Sequence, residues 1–435
     1  MPEHRQVTDA EVKRLIGAYV GVLGRQAPPS DVASAVMNRV QSRHTRATVG
    51  RLIGAGVTVL AIALVIGIAG AVHLRILAGP SADNWQVMSV PSGFNATGIS
   101  CVSSGQCWAV GPTGIWEYYQ GSWSVDNSPT KGTLDAVSCV TSSDCWALGS
   151  HYTVPQGLND GVIQPLIEHG DGGVFTMVSA PAVSGDIDRL TSITCTTADD
   201  CWATGNFGAN SENGGDGVSH PLMEHYDGVS WTVMSSSSAP MLDGLAVVGC
   251  LSVDDCWGLG GTSNGSTVEH YDGESWAIVS GSQLPTGVGS VGLGGLTCIG
   301  SGDCWAVGSV FNSQEALLEE PVIAHLSSSG TWTDVPGPSI GASEGGGLLG
   351  IACLSASNCW AVGGIQGSLE DLITGTPPPY TAVPIIEHYS DGSWELLSGT
   401  EAGGGTGLLD AVACIPSTGA CYAVGDGFAE STRNS

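Results

Sequence analysis

Positive charge is nearly missing from most of this 435-residue sequence: nine of its twelve Lys and Arg lie at or before Arg75, and only Lys131, Arg189 and Arg433 follow. The 37 Asp and Glu after residue 75 give that part a formal charge of −34, against +5 for residues 1–75. So acidic a body argues against nucleic acid and anionic lipid headgroups as its partners. Charged residues of both signs amount to only 12%, and 65 glycines accompany them. That composition is too apolar for disorder and suits many short strands joined by tight turns.

One uncharged stretch runs without interruption from Leu52 to Val72. At about 1.5 Å per helical residue it matches the roughly 30 Å core of a bilayer, so a transmembrane helix is expected over 51–75. Arg39, Arg43, Arg46 and Arg51 crowd its N-terminal flank, whereas beyond Arg75 no Lys or Arg occurs before Lys131. The positive-inside rule then places the N-terminus in the cytoplasm and the bulk of the chain outside the cell membrane, as a single-pass protein. Residues 1–50 form a short basic segment in which Thr8 and Glu11 match a capping box ahead of Val12, Leu15, Ile16 and Tyr19. Val32, Val36 and Val40 mark a second amphipathic stretch after Pro28 and Pro29, so two short helices are expected there.

A phrase of the form ISCVSSGQCWAVG then recurs seven times and uses all fourteen cysteines. The pairs are Cys101 with Cys107, Cys139 with Cys145, Cys195 with Cys201, Cys250 with Cys256, Cys298 with Cys304, Cys353 with Cys359, and Cys414 with Cys421. A repeated local spacing inside one strand–turn–strand unit favours pairing within each repeat, and an exported domain sits where disulfides persist. Zinc would want two such pairs facing each other, but offsets of 38 to 61 residues place them in separate units.

Between the cysteine pairs a second phrase returns, as in LMEHYDGVSWTVM, STVEHYDGESWAIV and IIEHYSDGSWELL. Each reads strand, tight Asp-Gly-type turn, strand, which gives four strands per repeat. Seven four-stranded units of about 40 to 60 residues describe a seven-bladed β-propeller over 83–435 with one disulfide per blade, an all-β fold. The turn-plus-tryptophan phrase resembles a degenerate Asp-box of the sialidase-type propellers, seen most fully in Ser390-Asp391-Gly392-Ser393-Trp394, and the CWAVG phrase is similar to secreted or membrane-anchored bacterial propeller repeats. Residues 84–91 read as an outer strand with no cysteine hairpin before it, and so are expected to close the last blade. That blade has no evident EHY strand of its own.

No catalytic, cofactor or metal-binding residues stand out. A sialidase holds its substrate carboxylate with an arginine cluster that Arg189 and Arg433 cannot supply. The CWAVG tryptophans (Trp108, Trp146, Trp202, Trp257, Trp305, Trp360) suit packing between blades. His169, His225, His270, His325 and His388 fall at equivalent third-strand positions too far apart to share one ion. The connections after the second strand vary most, being long at 150–161, 206–219, 310–319 and 365–382, where either binding or neutral drift accounts for them. The function expected is a binding or scaffolding module for a glycan, cell-envelope or protein ligand, with no cofactor. A transmembrane sensor and a glycoside-active enzyme other than a sialidase are the alternatives.

Overall fold

The structure, a computed structural model, describes residues 85–432 apart from 127–130, 155–160, 182, 184–186, 209–218, 236–244, 263–264, 280–283, 285–290, 301–302, 312–318, 328–329, 339, 341–343, 369–381 and 398–406. The basic N-terminal segment and the apolar Leu52–Val72 stretch lie outside the described residues, as do most of the long connections. Among the described residues no helix is long and apolar enough to cross a membrane. The chain divides into two units after Pro80, and every described residue belongs to the second, Ser81–Ser435.

That unit is all β and propeller-like. Its twenty-eight described strands form five four-stranded sheets and one eight-stranded sheet, and each repeats one antiparallel meander. The eight-stranded sheet contains two such meanders, joined where Ile187 meets Ile163 in a single parallel pairing. The seven disulfides tie the first strand of each meander to the second at directly opposed residues, such as Cys195 and Cys201, with Cα atoms 4.0 or 4.1 Å apart. Such close pairs occur between antiparallel strands at positions that do not exchange backbone hydrogen bonds.

The third and fourth strands meet at tight turns whose chemistry is visible in the sequence. In one, Ser390 pairs with Ser393 across Asp391 and Gly392, whose φ angles of 52° and 86° are those of the two-residue turns that match strand twist. In another, Asp227 Oδ1 accepts hydrogen bonds from the backbone N–H of Val229 and Ser230, and Gly228 takes a φ of 86°. These backbone donors hold the Asp227 carboxyl below the usual carboxylate range.

The innermost strands run Gly98–Ser103, Thr133–Thr141, Ile187–Thr197, Val247–Ser252, Val291–Cys298, Glu344–Ser355 and Leu409–Ile415. Each neighbours the next in that order, and the last neighbours the first. Polar side chains stitch the ring. Ser100 Oγ accepts from Cys139 N, and Ser138 Oγ accepts from Cys195 N. Thr191 Oγ1 donates to Ala246 O in the following repeat.

Aromatic contacts hold adjacent repeats together further out. A buried second-strand tryptophan meets the fourth-strand tryptophan of the next repeat edge to face, with ring centroids 5.3 Å apart for Trp146 and Trp231 and 5.2 Å for Trp202 and Trp276. Trp305 and Trp394 repeat the arrangement at 5.6 Å. Edge-to-face geometry is one of the two arrangements an aromatic quadrupole favours.

The ring closes with strands from both ends of this unit. Ala429–Thr432 supplies the third strand that the repeat phrase does not reveal, and Trp85–Met88 pairs with it as the fourth, with Trp85 opposite Thr432. Trp85 also packs edge-on against Trp360 of the preceding repeat at 5.3 Å, so it joins two sheets. Replacing Trp85 by Ala is expected to cost about 3–5 kcal/mol, the usual penalty for emptying a buried aromatic site. Thermal unfolding followed by circular dichroism should therefore move down by several degrees. An unchanged transition would mean that this closure contributes little.

Candidate functional site

Two recurring polar arrangements in the sheets are accounted for by packing. Each repeat histidine lies directly across from its CWAVG tryptophan and stacks on it, at centroid distances of 4.2 Å for Trp146 and His169 and 3.9 Å for Trp360 and His388. The Nε2 of His169, His225, His270 and His325 lies 2.6 to 2.9 Å from Oδ1 of Asp144, Asp200, Asp255 and Asp303, the residue just before the second cysteine. Asn358 takes that place beside His388. The first repeat substitutes Gln106 and Glu117, whose side chains bond at 3.0 Å. These histidines therefore pair within their own repeats, and among the described residues no cluster of His, Cys, Asp and Glu could hold a metal ion.

The glutamates beside those histidines are fully buried. Glu224 and Glu387 have no hydrogen-bond partner for either carboxylate oxygen among the described residues. Burial, reinforced at Glu224 by the nearby Asp188, pushes both carboxyls up to about 8, so they are held neutral at pH 7.

The chemistry left to a ligand is on the axis, in a cavity of about 380 Å³ between the inner strands. Its polar rim is set by the residue four places before the first cysteine of each phrase. In the repeats of Asp135, Thr191, Gly294, Leu349 and Asp410 a β-bulge falls at this residue, a device that re-aims a side chain away from the regular ladder. The CWAVG glycine faces the bulge. A Cβ on Gly149, Gly205 or Gly425 would collide with the backbone oxygen of Thr133, Arg189 or Leu408, so only glycine admits this close strand approach.

Thr97 and Thr191 spend their hydroxyls on backbone carbonyls of their own and the next repeat. Ser192 Oγ accepts from Val248 N, and the other polar side chains of the lining are the Asn206 carboxamide and two carboxyls. Burial raises Asp135 to about 6, with the Arg189 guanidinium opposing the rise. Burial and the like charge of Asp426 raise Asp410 to about 7. Among the described residues no cationic or aromatic side chain lines the cavity.

With this geometry in hand, comparison with solved structures is decisive for the fold. YCF48 bound to D1 peptide superposes with a TM-score of 0.51 at 12% identity, covering 81% of this chain and 97% of that one. A catalytically inactive virginiamycin B lyase from Staphylococcus aureus with quinupristin gives 0.51 at 12%, over 80% of this chain and 99% of that one. The fold is β-propeller-like. The GH74 xyloglucanase from Xanthomonas campestris gives 0.51 at 15% over 80% of this chain, which spans about half (53%) of that enzyme. No family model matches the sequence. No curated protein matches it either.

The cavity is not where sequence reasoning looked. Residues 155–160, 209–218, 312–318 and 369–381 of the long connections lie outside the described residues, and nothing places a ligand on them. Asp135 and Asp410 were legible only as two acids interrupting an otherwise apolar or hydroxylated position of the repeat. Of the two arginines after residue 75, Arg189 lies among the described residues and Arg433 outside them.

The buried glutamates predict a pH signature. A carboxyl raised from 4.5 to about 8 in the folded state contributes stability that is fully present below pH 4.5 and is lost as pH rises through about 8. Thermal midpoints should thus fall as pH rises from about 5 to about 8. The Glu224→Gln, Glu387→Gln double variant should flatten that fall without loss of stability at pH 6; an unaltered slope would contradict burial as its cause.

Proposed function

We propose that this chain is a membrane-anchored, extracytoplasmic β-propeller of seven blades that serves as a binding module, its ligand held in the central cavity. Two observations support the blade number. Seven inner strands neighbour one another in a closed order, and each carries the first cysteine of a disulfide hairpin. The anchor and its orientation rest on the apolar Leu52–Val72 stretch and the arginines before it.

The observation that carries the binding reading is a recess built on rigid strands, with polar side chains at the bulged positions Asp135, Thr191 and Asp410. A pair of carboxyls raised by burial also has the make-up of an acid–base pair, which favours hydrolysis as the second reading. Among the described residues no aromatic side chain lines the cavity, which weighs against a sugar ring stacked there. Neighbours of similar fold are described in both ways, one bound to a peptide and another as a xyloglucanase.

A pull-down from cell-envelope extract, followed by a turnover assay on whatever is retained, separates the two. Filling the cavity with Leu349→Trp should abolish capture of the retained ligand, and the ligand should be recovered chemically unchanged. Recovery of a cleaved product would make the chain a hydrolase, and capture undiminished by Leu349→Trp in a folded protein would move the site elsewhere.

A further inference from the structure

Resting on that binding reading, we infer that the central cavity is a seat for a primary ammonium group, a protonated amine, paired with Asp410. The two carboxyls of the lining differ in what surrounds them. Asp135 lies in the field of the Arg189 guanidinium, whereas the ionic neighbour of Asp410 is a second carboxyl, Asp426. Among the described residues the Asp410 side chain has no hydrogen-bond or ion-pair partner. A carboxylate so placed, withdrawn from water and next to a like charge, gains more from an incoming cation than one on the open surface does.

The remainder of the cavity selects the kind of cation. Val248, Leu296 and Ile351 border it with their side chains packed into the clusters between sheets, so the surface it offers is more polar than apolar. Such a surface suits an ammonium head, which donates three hydrogen bonds and seeks oxygen acceptors. A quaternary ammonium would want the aromatic cage that is missing here, and an anion would want a cationic side chain in the lining. A volume of about 380 Å³ is near the lower end of the roughly 300–1,000 Å³ of small-molecule sites. It admits one side-chain-sized group and not an oligosaccharide. The charge of −34 after residue 75 draws cations toward the whole unit, so any test must separate that general attraction from the seat itself.

The test is titration calorimetry of the full chain in detergent micelles at pH 8, with cadaverine as a free diamine and the methylamide of N-acetyl-lysine as the model of a peptide side chain. Saturable binding of at least one probe is expected, together with loss of binding when the lysine amine is acetylated; which probe binds more tightly distinguishes a free amine from a peptide-borne one. Asp410→Asn, a nearly isosteric change, should weaken binding tenfold or more. Glu274→Gln, which removes the same charge from an exposed turn, should change it less than twofold. Equal weakening by both variants, or equal binding of the acetylated probe, would overturn the proposal. If neither amine binds but an envelope ligand is still captured in a manner sensitive to Leu349→Trp, the ammonium seat is wrong and the binding reading stands.

Discussion

The contact on which the rest of this structure depends is the tryptophan that joins one repeat to the next. A four-stranded sheet has two faces and cannot bury both alone, so each must be covered by a neighbour. The CWAVG tryptophan lies flat against the histidine of its own repeat and edge-on to the fourth-strand tryptophan of the following one. Such pairs contribute about 0.5–1.5 kcal/mol beyond the area they bury. Their periodic placement also fixes which faces meet, and Trp85 against Trp360 extends the same contact to the joint where the two ends of the unit come together. The disulfides act locally, each closing a hairpin of six or seven residues' separation, a loop so short that each contributes roughly 2 kcal/mol in the chain-entropy picture.

The cavity is a by-product of the same repeat made specific by a few residues. Because the CWAVG glycine lets the inner strand approach closely, that strand bulges opposite it, and the bulged residue borders the axis. Where that residue is threonine, the hydroxyl bonds to carbonyls of its own and the next repeat and strengthens the ring. Where it is aspartate, a carboxyl remains for other partners. Fold and site thus share one position, and the sequence can vary it without disturbing the tryptophan contacts farther out.

Much of this was legible before any coordinates. Cysteine spacing, Asp-Gly turns and tryptophan periodicity are local signals, and they point to hairpins and a repeating sheet. The third strand of the last sheet was hidden because Ala429–Thr432 has neither the EHY phrase nor a turn phrase behind it; its assignment depends on pairing with Trp85–Met88, more than 300 residues away. The cavity was hidden for a related reason. Asp135 and Asp410 are 275 positions apart and come to one recess only when the ring closes, while the bulge that re-aims them leaves no mark in strand periodicity beyond the glycine opposite. Strand geometry sets the histidines too far apart to share one ion, and in four repeats the aspartate one residue before the second cysteine is the partner that sequence alone did not reveal.

The most direct test of a ligand held on the axis is hydrogen–deuterium exchange of the full chain with and without a captured ligand. The account predicts added protection in the inner-strand segments 97–99, 135–137, 246–248 and 410–412, with little change at the cysteine turns. Protection confined to the cysteine-turn face or to the long connections, with the inner strands unaffected, would contradict it.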